Sequence, residues 1–272
     1  MNKNKFAEKL SISFMWILSI LILYPLTMVL LTSFKSKGEA SYLNISLPKT
    51  WHIENYVTVI EKGFLRAFDN SLIVTVISMF VTIFSAALIA YVVVRRDTKG
   101  VRAFYKMITL QIIAPFAAMP TIKLLQYLGL YGSRIGLALV TAALNMPYTT
   151  MIISSYLKGI PRELDEAAVI DGANGMQIFG PILFPLLKPV LSAALIVNFM
   201  WAWNDLQLPI YLLNSATKWT LPLSIYSFIG QFSSSWNLVC ADLVLVSLPV
   251  VILYILCQKL VVSGMTSGAV KQ

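Results

Sequence analysis

Charge is what this sequence most lacks. Only 12% of its 272 residues are Asp, Glu, Lys or Arg, against the roughly one quarter usual in a soluble domain. Histidine occurs once, as His52, and cysteine twice. No spacing of Cys, His and carboxylates suits a metal, and no His-Glu-x-x-His run is present. His52 reads as a solvated loop histidine with no nucleophile–base pair near it. Cys240 and Cys257 fall in one expected helix, about 25 Å apart along its axis at 1.5 Å per residue, which excludes a disulfide between them. A Gly-x-x-x-x-Gly-Lys-Ser/Thr loop is also absent, so any nucleotide hydrolysis must come from another chain.

Long apolar runs are what the sequence has instead. Hydrophobic residues make up 58% of the chain, and several runs approach the roughly 20 residues needed to cross a bilayer. Six spans are expected, over about 12–33, 70–94, 103–128, 135–157, 185–209 and 239–262. Asp69, Asn70 and Ser71 supply capping side chains before the second. Pro115, Pro120, Lys123 and Gln126 dilute the third. The first run is too long for a signal-peptide core and lacks a small-residue cleavage site, so it reads as a retained span.

The net charge of +9 would suggest nucleic acid for a soluble protein. Here it reads as loop charge that sets topology, with no nucleic-acid partner. The basic stretch 95–102, with Arg95, Arg96, Lys99 and Arg102, belongs in the cytoplasm by the positive-inside tendency. With an even number of spans, both termini then lie inside. Eight of the 12 prolines lie in or beside the spans: Pro25, Pro115, Pro120, Pro147, Pro185, Pro189, Pro209 and Pro249. Each removes a backbone donor and can kink its helix, although membrane helices tolerate proline without functional need. No tandem or inverted repeat is visible, so the chain looks like half of a pore.

The most informative stretch is 159–179, between the fourth and fifth spans. Pro161 suits the first position of a helix, and Glu163, Asp165 and Glu166 complement its positive end. Ala167 and Ala168 are small enough for another backbone to approach. Asp171-Gly172 is a turn signal in which Gly172 can take a positive φ. Asn174 can cap a second short helix, with Gln177 three residues on completing a capping box. A helix–turn–helix along the inner membrane face is the expected result.

Glu166-Ala167-Ala168, then Asp171-Gly172-Ala173, Gln177, Phe179, Ile182, Pro185 and Pro189, closely resembles the coupling loop of ABC importer permeases. Asn198-Phe199-Met200-Trp201-Ala202-Trp203-Asn204-Asp205 resembles the fifth-span signature of carbohydrate-uptake permeases. The ending from Gly264 to Lys271 is similar to the tail of the smaller, maltose-type permease subunit, except that Gln272 stands where such tails often end in glycine. The likeness covers essentially the whole chain.

The resemblance implies an all-α polytopic protein of a bacterial cytoplasmic membrane. It would have six transmembrane helices in the type I ABC importer permease fold and both termini cytoplasmic. A single permease domain would span 1–272, with the coupling loop at 159–184 inside it. The implied partners are a second homologous permease subunit, two ATPase subunits, an extracytoplasmic solute-binding protein and membrane lipid. This chain would bind no cofactor and perform no bond chemistry, and ATP and Mg would be used by the partner ATPases. Glu166, Ala167, Ala168, Asp171, Gly172 and Ala173 would couple to those ATPases. Asn198, Trp201, Trp203, Asn204 and Asp205 would lie along the substrate path, since aromatic faces stack on sugar C–H surfaces and amides bond hydroxyls. Asn214, Ser215, Thr217 and Lys218 would form a loop meeting the binding protein.

An importer permease for a non-sugar solute, such as an amino acid or phosphate, stays open, because tryptophan also collects at membrane interfaces. An intramembrane enzyme would need polar groups converging inside the bundle. Asn145, Asn198 and Asp242 are scattered without partners at a useful spacing.

Overall fold

The computed structural model describes residues 2–230 and 234–269. Among these it is helical, the sole extended pairing being a bridge between Ile229 and Ser234. The helices are α1 (Asn2–Thr32), α2 (Lys37–Ala40), α3 (Glu54–Val59), α4 (Leu65–Arg95), α5 (Lys99–Leu110), α6 (Ala118–Tyr127) and α7 (Arg134–Leu157). They continue with α8 (Glu163–Ile170), α9 (Gly175–Ile178), α10 (Phe184–Leu186), α11 (Lys188–Asn204), α12 (Gln207–Leu212), α13 (Leu221–Ser224) and α14 (Trp236–Ala269). The tail residues Val270, Lys271 and Gln272 lie outside the described residues.

Among the described residues, four helical stretches are long and apolar enough to cross a membrane: Ser11–Thr32, Glu54–Arg95, Arg134–Leu157 and Trp236–Leu256. A fifth is Gly175–Leu186 with Lys188–Asn204, if that pair, bent by 76°, counts as one span. The bend falls between Pro185 and Pro189, each of which lacks an N–H for the helical ladder. The third expected span is not one helix. After α5 the chain tightens into turns in which Gln111, Ile112, Ile113 and Ala114 each bond back three residues. Pro115 then offers no donor, and helix resumes only at Ala118.

The second expected span also starts earlier than the sequence suggests. A π-helical turn over Ile60–Phe64, with Gly63 at φ +108°, leads directly into α4 at Leu65. Asp69, Asn70 and Ser71 therefore lie inside the helix rather than capping it.

The chain divides into two compact units, residues 1–67 with 221–249 and residues 68–220 with 250–272. In the first unit, Val59, Phe228, Leu238, Val239 and Ala241 form a core with Tyr56, Phe64, Ile225 and Leu245 against it. Two polar features complete it. The Asn55 amide donates to the Ser33 and Lys35 carbonyls, and its oxygen accepts from Asn237 at 2.8 Å. Lys35, 1% exposed, places its ammonium on the Asn44 carbonyl, the Asn44 side chain and the Ser46 hydroxyl. A buried cation needs that many acceptors to offset its lost hydration.

The core of the second unit joins α4, α7 and the segment leading into α11. Ala86, Ala87 and Ala90 are fully buried on α4, and such small residues let membrane helices approach closely. Ile153 and Leu157 of α7 pack there, with Leu183, Leu187, Val190, Leu191 and Ala194 at helical spacing. Ala168, Ile178 and Phe179 belong to the same cluster, so the 159–184 segment is built onto this core.

Candidate functional site

Local backbone chemistry shapes the 159–184 segment. Helix α8 ends in a Schellman motif: Ala173 N–H donates to the Ala168 carbonyl at 2.9 Å and Gly172 N–H to Val169 at 3.0 Å. Gly172 supplies the required left-handed residue, at φ +84°. The next helix opens with a complete capping box. The Asn174 side chain accepts from Met176 and Gln177 N–H at 3.1 Å each, while Gln177 Oε1 accepts from Asn174 N–H at 2.7 Å.

The start of α8 differs from the expectation at Pro161. The Arg162 carbonyl accepts from Asp165 and Glu166, so Glu163 is the first helical residue. A helix opening at Pro161 would need the Ile160 carbonyl for its first turn. That carbonyl instead accepts from the Arg95 guanidinium at 3.2 and 3.3 Å.

One face of α8 is turned away from the chain. Glu163, Glu166, Ala167 and Ile170, spaced i, i+3, i+4 and i+7, are all exposed, Ile170 by 86%. Leu164, Val169 and Met176 add exposed apolar surface beside it. Asp171 and Gly172 are exposed too, whereas Ala168 is buried and Ala173 is partly buried against the chain's own core. Of the six expected coupling residues, four are thus free for a partner and two position the helix.

The five expected path residues also divide. Trp203 is 1% exposed, stacked on Phe199 at 5.3 Å and edge-on to Phe68 at 5.6 Å. Asn198 is buried and donates to Thr149 Oγ1 at 3.0 Å, tying α11 to α7. Trp201, 42% exposed, meets Tyr148 of α7 edge-on at 4.9 Å. Asn204 is exposed at the end of α11. Asp205 follows it, and its carboxylate accepts from Gln207 and Leu208 N–H, which caps α12.

The loop after α12, carrying Asn214, Ser215, Thr217 and Lys218, is tied down. Buried Asn70 of α4 donates to the Thr217 and Trp219 carbonyls at 3.0 Å each and accepts from Arg134 of α7 at 3.1 Å. The Lys218 ammonium donates to the Gly132 carbonyl at 2.7 Å, and Gly132 N–H to Leu212 at 3.1 Å. Ser215 and Thr217 hydroxyls lie 2.9 Å apart. Gly132 is at φ +71°, and a Cβ there would lie 2.7 Å from the Asn214 side-chain carbon. Asn70, Arg134, Arg95 and Tyr148 are participants that residue spacing did not assign to these roles, because each acts through a partner far away in sequence.

His52 lies in a loop, partly exposed, with local polar partners. Thr50 Oγ1 lies 2.8 Å from its Nε2, and its Nδ1 pairs with Glu54. This hydroxyl–imidazole–carboxylate line is confined to five consecutive residues, as expected when short-range polar groups satisfy one another. Among the described residues no His, Cys, Asp and Glu cluster is arranged to hold a metal.

Residues 1–267 match the family described as binding-protein-dependent transport system inner membrane component. The chain belongs to this family. Together with the apolar helices, membership makes the transport component a multi-pass protein of the cytoplasmic membrane that works with a binding protein. It is 36% identical over 259 residues to the "probable starch degradation products transport system permease protein" of Thermoanaerobacterium thermosulfurigenes, covering 94% of each chain. It is 34% identical over 251 residues to the melibiose/raffinose/stachyose import permease protein of Bacillus subtilis, covering 91% of each. A chain in the crystal structure of a bacterial ABC transporter involved in the import of the acidic polysaccharide alginate shares its fold. The TM-score is 0.84 at 22% identity, covering 95% of this component and 98% of that chain.

Proposed function

We propose that this component is a permease subunit of an ABC importer and passes a sugar or oligosaccharide, delivered by an extracytoplasmic binding protein, into the cytoplasm. The observation that carries the reading is the 159–184 segment. Its core face is fixed by Ala168, Ile178 and Phe179, while an acidic and apolar stripe on α8 stands exposed. An exposed stripe of this kind on a rigidly held short helix suits docking into a cleft of a partner. The sugar assignment is supported by relatives whose names refer to starch degradation products and to melibiose, raffinose and stachyose.

In this reading the chain is one permease domain of six spans over 1–272. The broken α5–α6 stretch serves as the third span, and both termini are cytoplasmic. It pairs with a second homologous permease subunit and two ATPase subunits. ATP and Mg are used by those ATPases, and this chain binds no cofactor and catalyses no reaction. Closure of the ATPases on ATP moves the docked coupling helices, which switch the permease pair between inward- and outward-facing arrangements. Trp201, backed by Tyr148, and Asn204 face the sugar path, with Asn198 and Trp203 holding the helix behind them and Asp205 fixing its end. The loop with Asn214, Ser215, Thr217 and Lys218 meets the binding protein.

The test is ATPase stimulation of the assembled complex in vesicles, with its binding protein and a panel of oligosaccharides, amino acids and phosphate. Stimulation and uptake with a sugar alone are expected. Stimulation only by an amino acid or phosphate would replace the substrate class, and ATP hydrolysis by the isolated chain would overturn the division of labour. Thiol labelling of intact cells tests the sidedness. Lys99→Cys should be protected from an impermeant reagent and Ala216→Cys should react.

A further inference from the structure

We infer that Arg95 and Asp165 form a strut that makes α8 and α4 move as one body, so that force applied to the coupling helix enters the membrane through α4. The inference rests on the reading of 159–184 as the docking segment.

Arg95 is the last residue of α4. Its Nε lies 2.5 Å from Asp165 Oδ2, and both side chains are largely buried, with 9% and 17% exposure. The same guanidinium holds the Ile160 carbonyl through both terminal nitrogens. Contact runs the other way too. Arg162 donates to the Val94 carbonyl at 2.9 Å, taking a carbonyl that the end of α4 leaves without an intrahelical partner. Each segment thus contributes an arginine to a backbone oxygen of the other. Below this clasp, Tyr91 of α4 packs on Phe179 at 5.5 Å, and Ala90 and Val94 share a core with Ala168 and Ile178.

The contrast with the neighbouring pair is informative. Arg102 and Asp97 lie 3.1 Å apart with side-chain exposures of 63% and 72%, an arrangement that water and salt weaken. The strut is shielded and joined to carbonyl bonds, so it resists shear. On α8 it also occupies a different face from the exposed stripe. Asp165 and Ala168, three residues apart, face α4, while Glu163, Glu166, Ala167 and Ile170 face away. A push received on the outer stripe therefore passes across the helix into α4. Arg95 and Asp165 are positioning residues: neither needs to touch ATPase or sugar.

The test uses the assembled complex in vesicles and reads three quantities: ATPase subunit co-purification, ATP hydrolysis, and sugar taken up per ATP. Arg95→Gln and Asp165→Asn should keep ATPase docking, yet lower uptake per ATP by about fivefold or more, as for other broken coupling contacts. The exchanged pair R95D/D165R should recover at least half of the loss. Arg95→Cys with Asp165→Cys should be uncoupled as prepared and regain uptake per ATP when a short bifunctional thiol reagent bridges the two positions. This last comparison is made within one folded preparation, before and after bridging. Unchanged uptake per ATP in both single variants, or loss of uptake on bridging, would overturn the strut. So would an exchanged pair whose uptake per ATP is no better than that of the singles. The docking reading fails separately, if Glu166→Ala and Ala167→Asp leave ATPase co-purification at the wild-type level.

Discussion

The 159–184 segment and the 212–220 loop are both short connections in the same compact unit, yet their polar groups are used in opposite ways. In the loop they point inward: the Asn70 amide, itself held by Arg134, donates to two of its carbonyls, Lys218 donates to the Gly132 carbonyl, and Gly132 N–H donates to Leu212. In the segment the inward bonds are confined to one side, through Arg95, Arg162 and Asp165, and α8 keeps a whole face of carboxylates and apolar side chains open. A surface held rigidly but left unsatisfied suits docking, because little ordering entropy remains to be lost when a partner binds. A loop whose main chain is satisfied internally presents a fixed edge. It can meet a partner without folding on it.

The largest effect should come from the turn of the segment. Nothing lies within 4 Å of a Cβ built on Gly172, so its φ of +84° is the whole constraint. A side chain there costs on the order of 1–2 kcal/mol and re-aims α9. Gly172→Val should insert normally and lose most sugar uptake, whereas Gly172→Asn, which tolerates left-handed backbone, should keep at least about half. Equal uptake in both would show that the Schellman turn does not set the aim of the segment. Next is Glu166→Ala, on the open stripe, expected to weaken ATPase co-purification roughly tenfold through loss of one charge-assisted contact. Unaltered docking would place the binding face elsewhere on α8.

Asn70→Ala carries the comparison to the loop. It leaves the Thr217 and Trp219 carbonyls and the Arg134 guanidinium without this partner, at about 1–3 kcal/mol of stability. Basal ATPase should survive, and the binding-protein concentration giving half-maximal uptake should rise about fivefold. Asn70→Asp sharpens the point, because it keeps the Arg134 contact while setting an acceptor against two carbonyls. If Asp behaves like wild type, the latch is the Arg134 pair alone.

What could be read from the sequence follows the range of the interactions. The capping box of Asn174 and Gln177 and the positive φ of Gly172 involve groups within a few residues, and backbone donors there have few alternatives. The spans at α7 and α14 follow from length and apolarity. The break after α5 was signalled by Pro115, but the extent of the irregular stretch depends on packing. Arg95 was legible as a topological charge and not as a strut, since Asp165 lies far along the chain and nothing local selects it. Asn70 has the composition of a cap, and only the arrival of the 212–220 loop gives its amide different partners. Trp201 and Trp203 are two residues apart in the same motif, yet one is exposed and the other is core. That division is set by which helix packs on which face.

The smallest effect belongs to Lys218→Met. Lys218 is half-buried, and its ammonium makes one charge-assisted bond, 2.7 Å long, to the Gly132 carbonyl. The alkyl part of the side chain is retained in methionine, so packing along the stem changes little. Gly132 is buried, but only one hydrogen bond is lost, against three for Asn70, which puts the cost at about 1 kcal/mol. Asn70 would still hold the Thr217 and Trp219 carbonyls on either side of position 218. Hydrogen exchange of the 214–219 amides in the assembled complex reads this directly. Lys218→Met should speed it by less than about tenfold, and Asn70→Ala by more, in line with one bond against three. If Lys218→Met frees the loop as fully as Asn70→Ala does, the ammonium is the principal tie and the buried amide secondary. The contrast between an open segment and a multiply anchored loop would then reduce to a single lysine.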